Sequence, residues 1–206
     1  MYARSTVLRG DPQRIDEGIA MVLDEVMPAV REMEGCVGLS LLVDRGSGVS
    51  IVTSAWESQE AMRETAQRVQ PLRDRGAALM SATPEVREWE IAVLHRERHI
   101  PEGACASVTW TRGDPANADR NLDAFRYHVM PRLTELDGFC SLSLFIDRAE
   151  GRGVTATVFR DRAALDAARQ TLDGIRSGAL DQLGLELLDV AQFDVVYAHL
   201  RVPETV

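Results

Sequence analysis

The chain has no lysine: its 206 residues include 23 basic ones, every one of them arginine. That absence removes Schiff-base chemistry, pyridoxal phosphate attached through lysine, and the lysine of phosphate-binding loops. Neither a Gly-x-Ser-x-Gly elbow nor a Gly-x-Gly-x-x-Gly fingerprint occurs, so neither a serine hydrolase of that type nor a dinucleotide fold is indicated. Positive charge is also scarce in sum. The net charge is -9 with a pI near 5.0, and the arginines alternate with acids, which opposes a nucleic-acid partner. The 4 histidines lack ligand spacing, so no metal is expected. The 3 cysteines (Cys36, Cys105, Cys140) are odd in number and fall in apolar, strand-like segments, as buried thiols in a reducing compartment would. No apolar run approaches the roughly 18 residues of a membrane span, and Met1-Tyr2-Ala3-Arg4-Ser5 is not a signal peptide. A cytoplasmic protein without a membrane partner is expected.

What is present is a repetition. Arg9-Gly10-Asp11-Pro12 returns as Arg112-Gly113-Asp114-Pro115, Val26-Met27-Pro28 as Val129-Met130-Pro131, and Asp44-Arg45-x-x-Gly48 as Asp147-Arg148-x-x-Gly151, all at one offset of 103. Between residues 2–56 and 105–159, 18 of 55 positions are identical, against roughly one in sixteen for unrelated segments; a tandem duplication decides the architecture before any other reading. It predicts a first repeat over residues 1–96, a linker over 97–103 and a second repeat over 104–206.

One repeat can be read as a unit. A short strand runs into Asp11-Pro12, a helix start in which aspartate caps free amides and proline takes an early position. Apolar residues at Ile19, Val22, Val26, Val30 and Met33 recur as Leu122, Phe125, Val129, Leu133 and Leu136, one buried helical face in each copy. Pro28 and Pro131 fall within it and predict a kink; Gly35 and Gly138 are expected to end the helix as left-handed caps. Alternation at Val37, Leu39, Leu41 and Val43 predicts a strand, and the Asp-Arg-x-x-Gly turn, its arginine expected in solvent, leads to a third strand over 50–56, forming a hairpin. Ser58 and Asp161 are predicted to cap a second helix. Its stripe Ala61-Met62, Ala66, Val69, Leu72 is matched by Ala164-Leu165, Arg169, Leu172, Ile175, with Arg169 as the exception. A last strand over 87–95 recurs over 191–199. Each half is β-α-β-β-α-β, a ferredoxin-like unit. Helices on one face leave the other apolar, so the fold class is α+β, two such repeats packed sheet to sheet as a pseudo-twofold α+β barrel.

The element order, the helix ending Val-Met-Pro-x-Val/Leu-x-x-Met/Leu-Glu/Asp-Gly, and Trp56-Glu57-Ser58-Gln59-Glu60-Ala61 closing the third strand resemble the dimeric α+β barrel superfamily, and within it the antibiotic biosynthesis monooxygenase type. The resemblance spans nearly the whole chain, once per half. It implies a cofactor-independent monooxygenase acting on a phenolic, quinol or polyketide-like molecule, which favours the substrate anion so that an electron passes directly to oxygen, without metal or flavin. It also admits a non-redox enzyme of the same fold, a cyclase or isomerase, or a non-catalytic ligand-binding or stress-related module. The heme-degrading branch is disfavoured: the first strands offer no asparagine and the helices from Ser58 and Asp161 no histidine. A small-molecule partner is implied, with the chain a monomeric pseudo-dimer or a homodimer.

Such a pocket needs aromatic walls, an oxyanion donor and one tuned base. The second half is richer in aromatics, holding every phenylalanine, including Phe125 and Phe159, along with Trp110. Trp56 and Phe159 are matched aromatics, readable as packing or as a substrate wall. Tyr127 and His128 replace Asp24 and Glu25 just before the proline, as a donor and base or as exposed helical residues. His95 and His199 match at strand ends, either at pocket mouths or bonded to backbone. Tyr127 and His128 are the catalytic candidates; Trp56, Phe159, Trp110, Phe125, His95 and His199 are the substrate-binding ones.

Overall fold

The structure, a computed structural model, describes residues 1–200; the predicted second repeat extends to residue 206, and its last part, residues 201–206, lies outside the described residues. The chain divides into two compact units. Unit 1 holds Met1–Trp89 together with the chain from Asp194, and unit 2 holds Glu90–Phe193.

In the first repeat, β1 (Tyr2–Arg9) leads through Asp11 to the helical segments α1 (Ile15–Met21) and α2 (Met27–Arg31), then β2 (Cys36–Asp44), β3 (Val49–Trp56), α3 (Gln59–Glu64), α4 (Ala66–Leu79) and β4 (Glu85–Arg96), which passes into unit 2 at Glu90. The second repeat follows the same order with β5 (Cys105–Arg112), α5 (Ala118–Ala124), α6 (Met130–Thr134), β6 (Phe139–Asp147), β7 (Arg152–Phe159), α7 (Arg162–Leu183) and β8 (Glu186–Leu200), which passes into unit 1 at Asp194. The strands are hydrogen-bonded in the cyclic order β1-β3-β2-β8-β5-β7-β6-β4, an α+β barrel topology built from two ferredoxin-like repeats, as the duplication predicts. The last strand of each repeat is longer than its pattern suggests. Within unit 1, β8 pairs with β2 (Val43↔Asp194, Leu41↔Tyr197, Leu39↔His199). Within unit 2, β4 pairs with β6 (Glu90↔Ile146 to Arg96↔Ser141).

The repeated motifs do structural work together. Asp11 Oδ1 accepts from the Gln13 amide at 2.9 Å and Asp114 Oδ1 from the Ala116 amide at 2.9 Å, capping the start of each first helix. Gly10 N–H donates to Gly48 O (3.1 Å) and Gly113 N–H to Gly151 O (2.8 Å), so the Arg-Gly-Asp-Pro segment lies against the hairpin turn. Gly48 and Gly151 have φ +72 and +64, and a Cβ there would lie 2.3 and 2.1 Å from the carbonyl oxygens of Gly10 and Gly113. No other residue fits both the backbone angle and the approach. Arg45 and Arg148 are exposed to solvent, as expected, and are also ion-paired: Arg45 with Asp16, Arg148 with Glu90 and Asp119.

At the proline the helix does not merely kink. Pro28 and Pro131 have no N–H for the carbonyl one turn back, and the chain responds with a π-helical turn just before each, Val22–Val26 and Phe125–Val129. Met27 N–H donates to Val22 O and Met130 N–H to Phe125 O across the wider turn. The helix then ends earlier than read, at Glu32 and Glu135, where the backbone remains right-handed. Gly35 and Gly138 do have positive φ (+75 and +80), but in the turn into the following strand, where a Cβ would press on Ala61 or Ala164.

Ser58 and Asp161 cap the second helix as predicted, accepting from the amides of Ala61 (3.0 Å) and Ala164 (2.7 Å). Unit 1 breaks that helix at Thr65, whose hydroxyl donates to Ala61 O (3.2 Å) and Met62 O (2.9 Å); such back-bonding competes with the helical ladder. In unit 2, Ala168 stands there and α7 is continuous. The buried stripe therefore passes through Thr65 and Ala168, not Ala66 and Arg169; Arg169 is exposed and paired with Asp166.

Candidate functional site

Each unit encloses a cavity between its sheet and its helices, and the two are lined by matched residues. In unit 2 the helical wall is Leu122, Phe125, Val129 and Leu133, facing Leu172, Ile175, Ala179 and Leu183 of α7; Leu144 and Ile146 of β6 close the side. The π-turn places Phe125 and Val129 on this wall. The sheet contributes hydroxyls. β5 and β7 pair Thr109 with Thr155 and Ser107 with Thr157 directly across the ladder, and three of these four, Thr109, Thr155 and Thr157, line the cavity. The cavity measures about 130 Å³, near the ~150 Å³ of an engineered protein cavity that accepts one benzene ring.

One cation is aimed at this row. Arg176 of α7, its side chain 14% exposed, donates through Nε to Thr109 Oγ1 at 3.1 Å and through Nη2 to Ser107 Oγ at 3.5 Å. On its outer side Nη1 bonds Asp173 at 2.6 Å. The fork is thus oriented by groups at its edges, with its charge beside neutral hydroxyls. Asn121 adds an acceptor: its Nδ2 donates to Leu183 O (3.2 Å), which fixes the amide, and its buried Oδ1 has no partner. At the rim Arg148 and Arg152 are taken by carboxylates, Arg148 donating to Glu90 and Asp119 and Arg152 forming an ion pair with Glu150. The carboxylates of Asp114 and Asp147 cap backbone amides. The arrangement can hold a flat apolar molecule, stabilise an anionic oxygen at Arg176 and accept a hydroxyl proton at Asn121.

The unit 1 cavity is about 70 Å³, lined by Ile15, Ile19, Val22, Val26, Val30, Leu39, Leu41, Val52, Val69, Leu72 and Met80, with Arg4, Thr6, Ser50, Ser54 and Arg73 as its polar residues. Arg73 is the counterpart of Arg176 and Arg4 that of Ser107 in the 103-residue register.

Of the residues singled out in the sequence, Phe125 lines a cavity. Tyr127 (75% exposed) and His128 follow it on the π-turn but face solvent, because Phe125 and Val129 are the buried side. Trp56 and Phe159, both fully buried, pack behind the cavities in the cores of units 1 and 2; Trp56 Nε1 also donates to Ser54 Oγ at 3.0 Å. Trp110 meets Phe193 edge to face at 6.3 Å. His95 stacks on Phe139 at 6.2 Å and lies 3.7 Å from Glu97, while His199 lies near Tyr197. The cysteines are free thiols; burial pushes Cys36 and Cys140 above the ordinary thiol range, away from nucleophilic character. Among the described residues no group of three or more His, Cys, Asp or Glu could hold a metal ion, and no helix is long and apolar enough to cross a membrane.

Sequence reasoning missed Arg73 and Arg176, Asn121, and the hydroxyl row. The signal was available for the arginines: both sit one position after the matched Leu72 and Ile175, at the same offset as every other repeated motif.

The model of the antibiotic biosynthesis monooxygenase family matches residues 1–69. The uncharacterized protein Rv2558 of Mycobacterium tuberculosis H37Rv is 48% identical over 207 residues, covering 100% of this chain and 88% of that protein. Among solved structures, a proposed monooxygenase of Fusobacterium nucleatum superposes with a TM-score of 0.72 at 11% identity, over 97% of this chain and 94% of that one. An anthrone oxidase-like protein gives 0.69 at 14% identity, over 99% and 94%. Residues 1–69 thus belong to the antibiotic biosynthesis monooxygenase family, the whole chain shares a family with Rv2558, and the distant structural likenesses show the same fold across both units.

Proposed function

We propose that unit 2 is a cofactor-independent oxygenase site for a small phenol, quinol or related enol, whose oxygen-bearing ring enters the cavity. The observation that carries this reading is Arg176, held beside the hydroxyl row at the edge of an apolar, ring-sized cavity. A guanidinium there stabilises the substrate's anion over its neutral form, since charge is worth more in a dry site than in water. Asn121 Oδ1 accepts from a second hydroxyl and fixes the ring's direction. The hydroxyl proton leaves to solvent and the electron-rich anion gives one electron to dioxygen; the two radicals couple at a carbon that bears hydrogen, the peroxide anion takes a proton from solvent, and loss of water, which removes that hydrogen, leaves a carbonyl. No side-chain base needs to sit over the ring, which agrees with the occupied carboxylates at the rim. The solved anthrone oxidase-like neighbour supports the same reaction class.

The test is oxygen uptake by metal-stripped protein with single-ring quinols, polyphenols and anthrones, against boiled protein. Enzyme-dependent uptake that Arg176→Gln abolishes is the expected result. Uptake unchanged in that variant would remove Arg176 from the chemistry. Uptake absent with every compound, together with saturable binding of the same quinols, would move the reading to a ligand-binding module.

A further inference from the structure

Unit 1 carries a charge arrangement that unit 2 lacks. Arg4 reaches from β1 into the cavity region with only 3% of its side chain exposed. Its Nη2 donates to Met62 O (2.6 Å) and Glu88 Oε1 (3.1 Å), but its buried Nη1 has no partner. Arg73, from α4, lines the same cavity, and its buried Nε is also without a partner. Burial, and next the like charge of Arg4, push Arg73 below the usual guanidinium range, with Asp74 opposing. Glu88, the carboxylate at Arg4, also accepts from Arg63 at 3.4 Å. A buried donor left unpaired is destabilising, the more so when it is charged. Two in one cavity define a place for an anion.

We propose that the unit 1 cavity binds a small aliphatic carboxylate, its oxygens accepting from Arg4 Nη1 and Arg73 Nε and its short tail lying against Ile19, Val22 and Val26. Planar two-oxygen anions match guanidinium donors. A phosphate or sulfate carries more oxygens than Arg4 Nη1 and Arg73 Nε serve and has no apolar tail to lie against Ile19, Val22 and Val26. The volume of about 70 Å³, near half that of a benzene-sized cavity, limits the tail to a few carbons. The inference concerns unit 1 alone and stands apart from the reading of unit 2.

Isobutyrate titrated into the full chain, followed by calorimetry and by isoleucine methyl NMR, tests it. The expected result is one saturable site per chain, with the methyl signals of Ile15 and Ile19 moving while those of Ile146 and Ile175, which line the other cavity, stay in place. Isobutyramide, the neutral analogue, does not bind, and Arg73→Gln weakens isobutyrate at least about tenfold. Arg4→Ser, which installs the unit 2 residue, acts in the same direction. If it fails to fold, Arg73→Gln decides, since it keeps the bonds of Arg4 to Met62 and Glu88. Equal binding of the amide, undiminished affinity in Arg73→Gln, shifts at Ile175 instead of Ile19, or no saturable binding of isobutyrate would each overturn the proposal.

Discussion

The unit with the smaller wall residues has the smaller cavity. Val22, Val30 and Val69 stand in unit 1 where unit 2 has Phe125, Leu133 and Leu172, yet the volumes are about 70 and 130 Å³. The space is taken from elsewhere. Arg4 replaces Ser107, Leu8 replaces Thr111, and Met80, 1% exposed, presses on Gly18, where a Cβ would lie 2.7 Å from its sulfur. The break at Thr65 also frees Met62 O to accept from Arg4. After duplication, then, the shared scaffold set where a cavity forms, while the sheet face and the second helix set its size and charge. Unit 2 has neutral hydroxyls around Arg176; unit 1 has a second arginine, Arg4, in that row and a smaller volume.

The largest effect tests what the two units share. Phe159→Ala and Trp56→Ala each remove a fully buried aromatic behind a cavity, and each is expected to cost about 3–5 kcal/mol in urea unfolding. Trp56→Ala also strips the donor from Ser54 Oγ. A loss below about 1 kcal/mol for either would mean that the cores behind the cavities are not packed alike.

Next comes the difference between the arginines. Arg176→Leu should lower oxygen uptake per enzyme by about a hundredfold, the scale of one lost oxyanion donor, while Arg73→Leu leaves it unchanged. Equal losses from both would make the cavities two copies of one active site and erase the contrast. A smaller effect falls on Asn121, whose counterpart is Gly18. Asn121→Ala removes an acceptor worth about 1 kcal/mol, so KM for a quinol with a second hydroxyl rises roughly fivefold. A substrate with a single hydroxyl should not notice; if both rise equally, Asn121 shapes the cavity rather than reading the ligand.

How much of this was legible follows from what repeats. The caps at Asp11, Ser58 and Asp161, and the alternation of Leu39, Leu41 and Val43 are local devices, and local chemistry is written in adjacent residues. The π-turns were not legible in detail: proline signals a lost hydrogen bond, but whether the chain kinks or widens depends on packing. Nor was the buried stripe, because the break at Thr65 depends on a hydroxyl reaching back to Ala61 and Met62. The residues of the proposed site are hard to read from the sequence for a different reason. Aromatics and histidines were weighed as chemistry, whereas the polar face of the cavity is made of threonines that read as ordinary strand residues and an arginine that reads as an ordinary helix-surface residue. Only the packing of α7 on β5 brings Arg176 to Thr109 and Ser107, whose partners across the ladder are Thr155 and Thr157.

The smallest expected effect bears on the residues the sequence favoured most. Tyr127 and His128 stand where unit 1 has Asp24 and Glu25, and the replacement of two acids by an aromatic donor and a base suggests chemistry. Their position on the π-turn argues otherwise. The turn that carries Phe125 and Val129 into the cavity carries these two outward, Tyr127 to 75% exposure, and an exposed imidazole has neither the burial nor the reach to take a proton from a ring bound among Leu122, Phe125 and Thr155. Tyr127→Ala and His128→Ala should each change stability by less than about 0.5 kcal/mol, the usual range for exposed positions, and leave oxygen uptake and its pH profile as they were. A loss of uptake in His128→Ala with unchanged substrate binding would mean that the π-turn rotates during turnover, and that the second copy differs from the first in its moving parts as well as in its cavity.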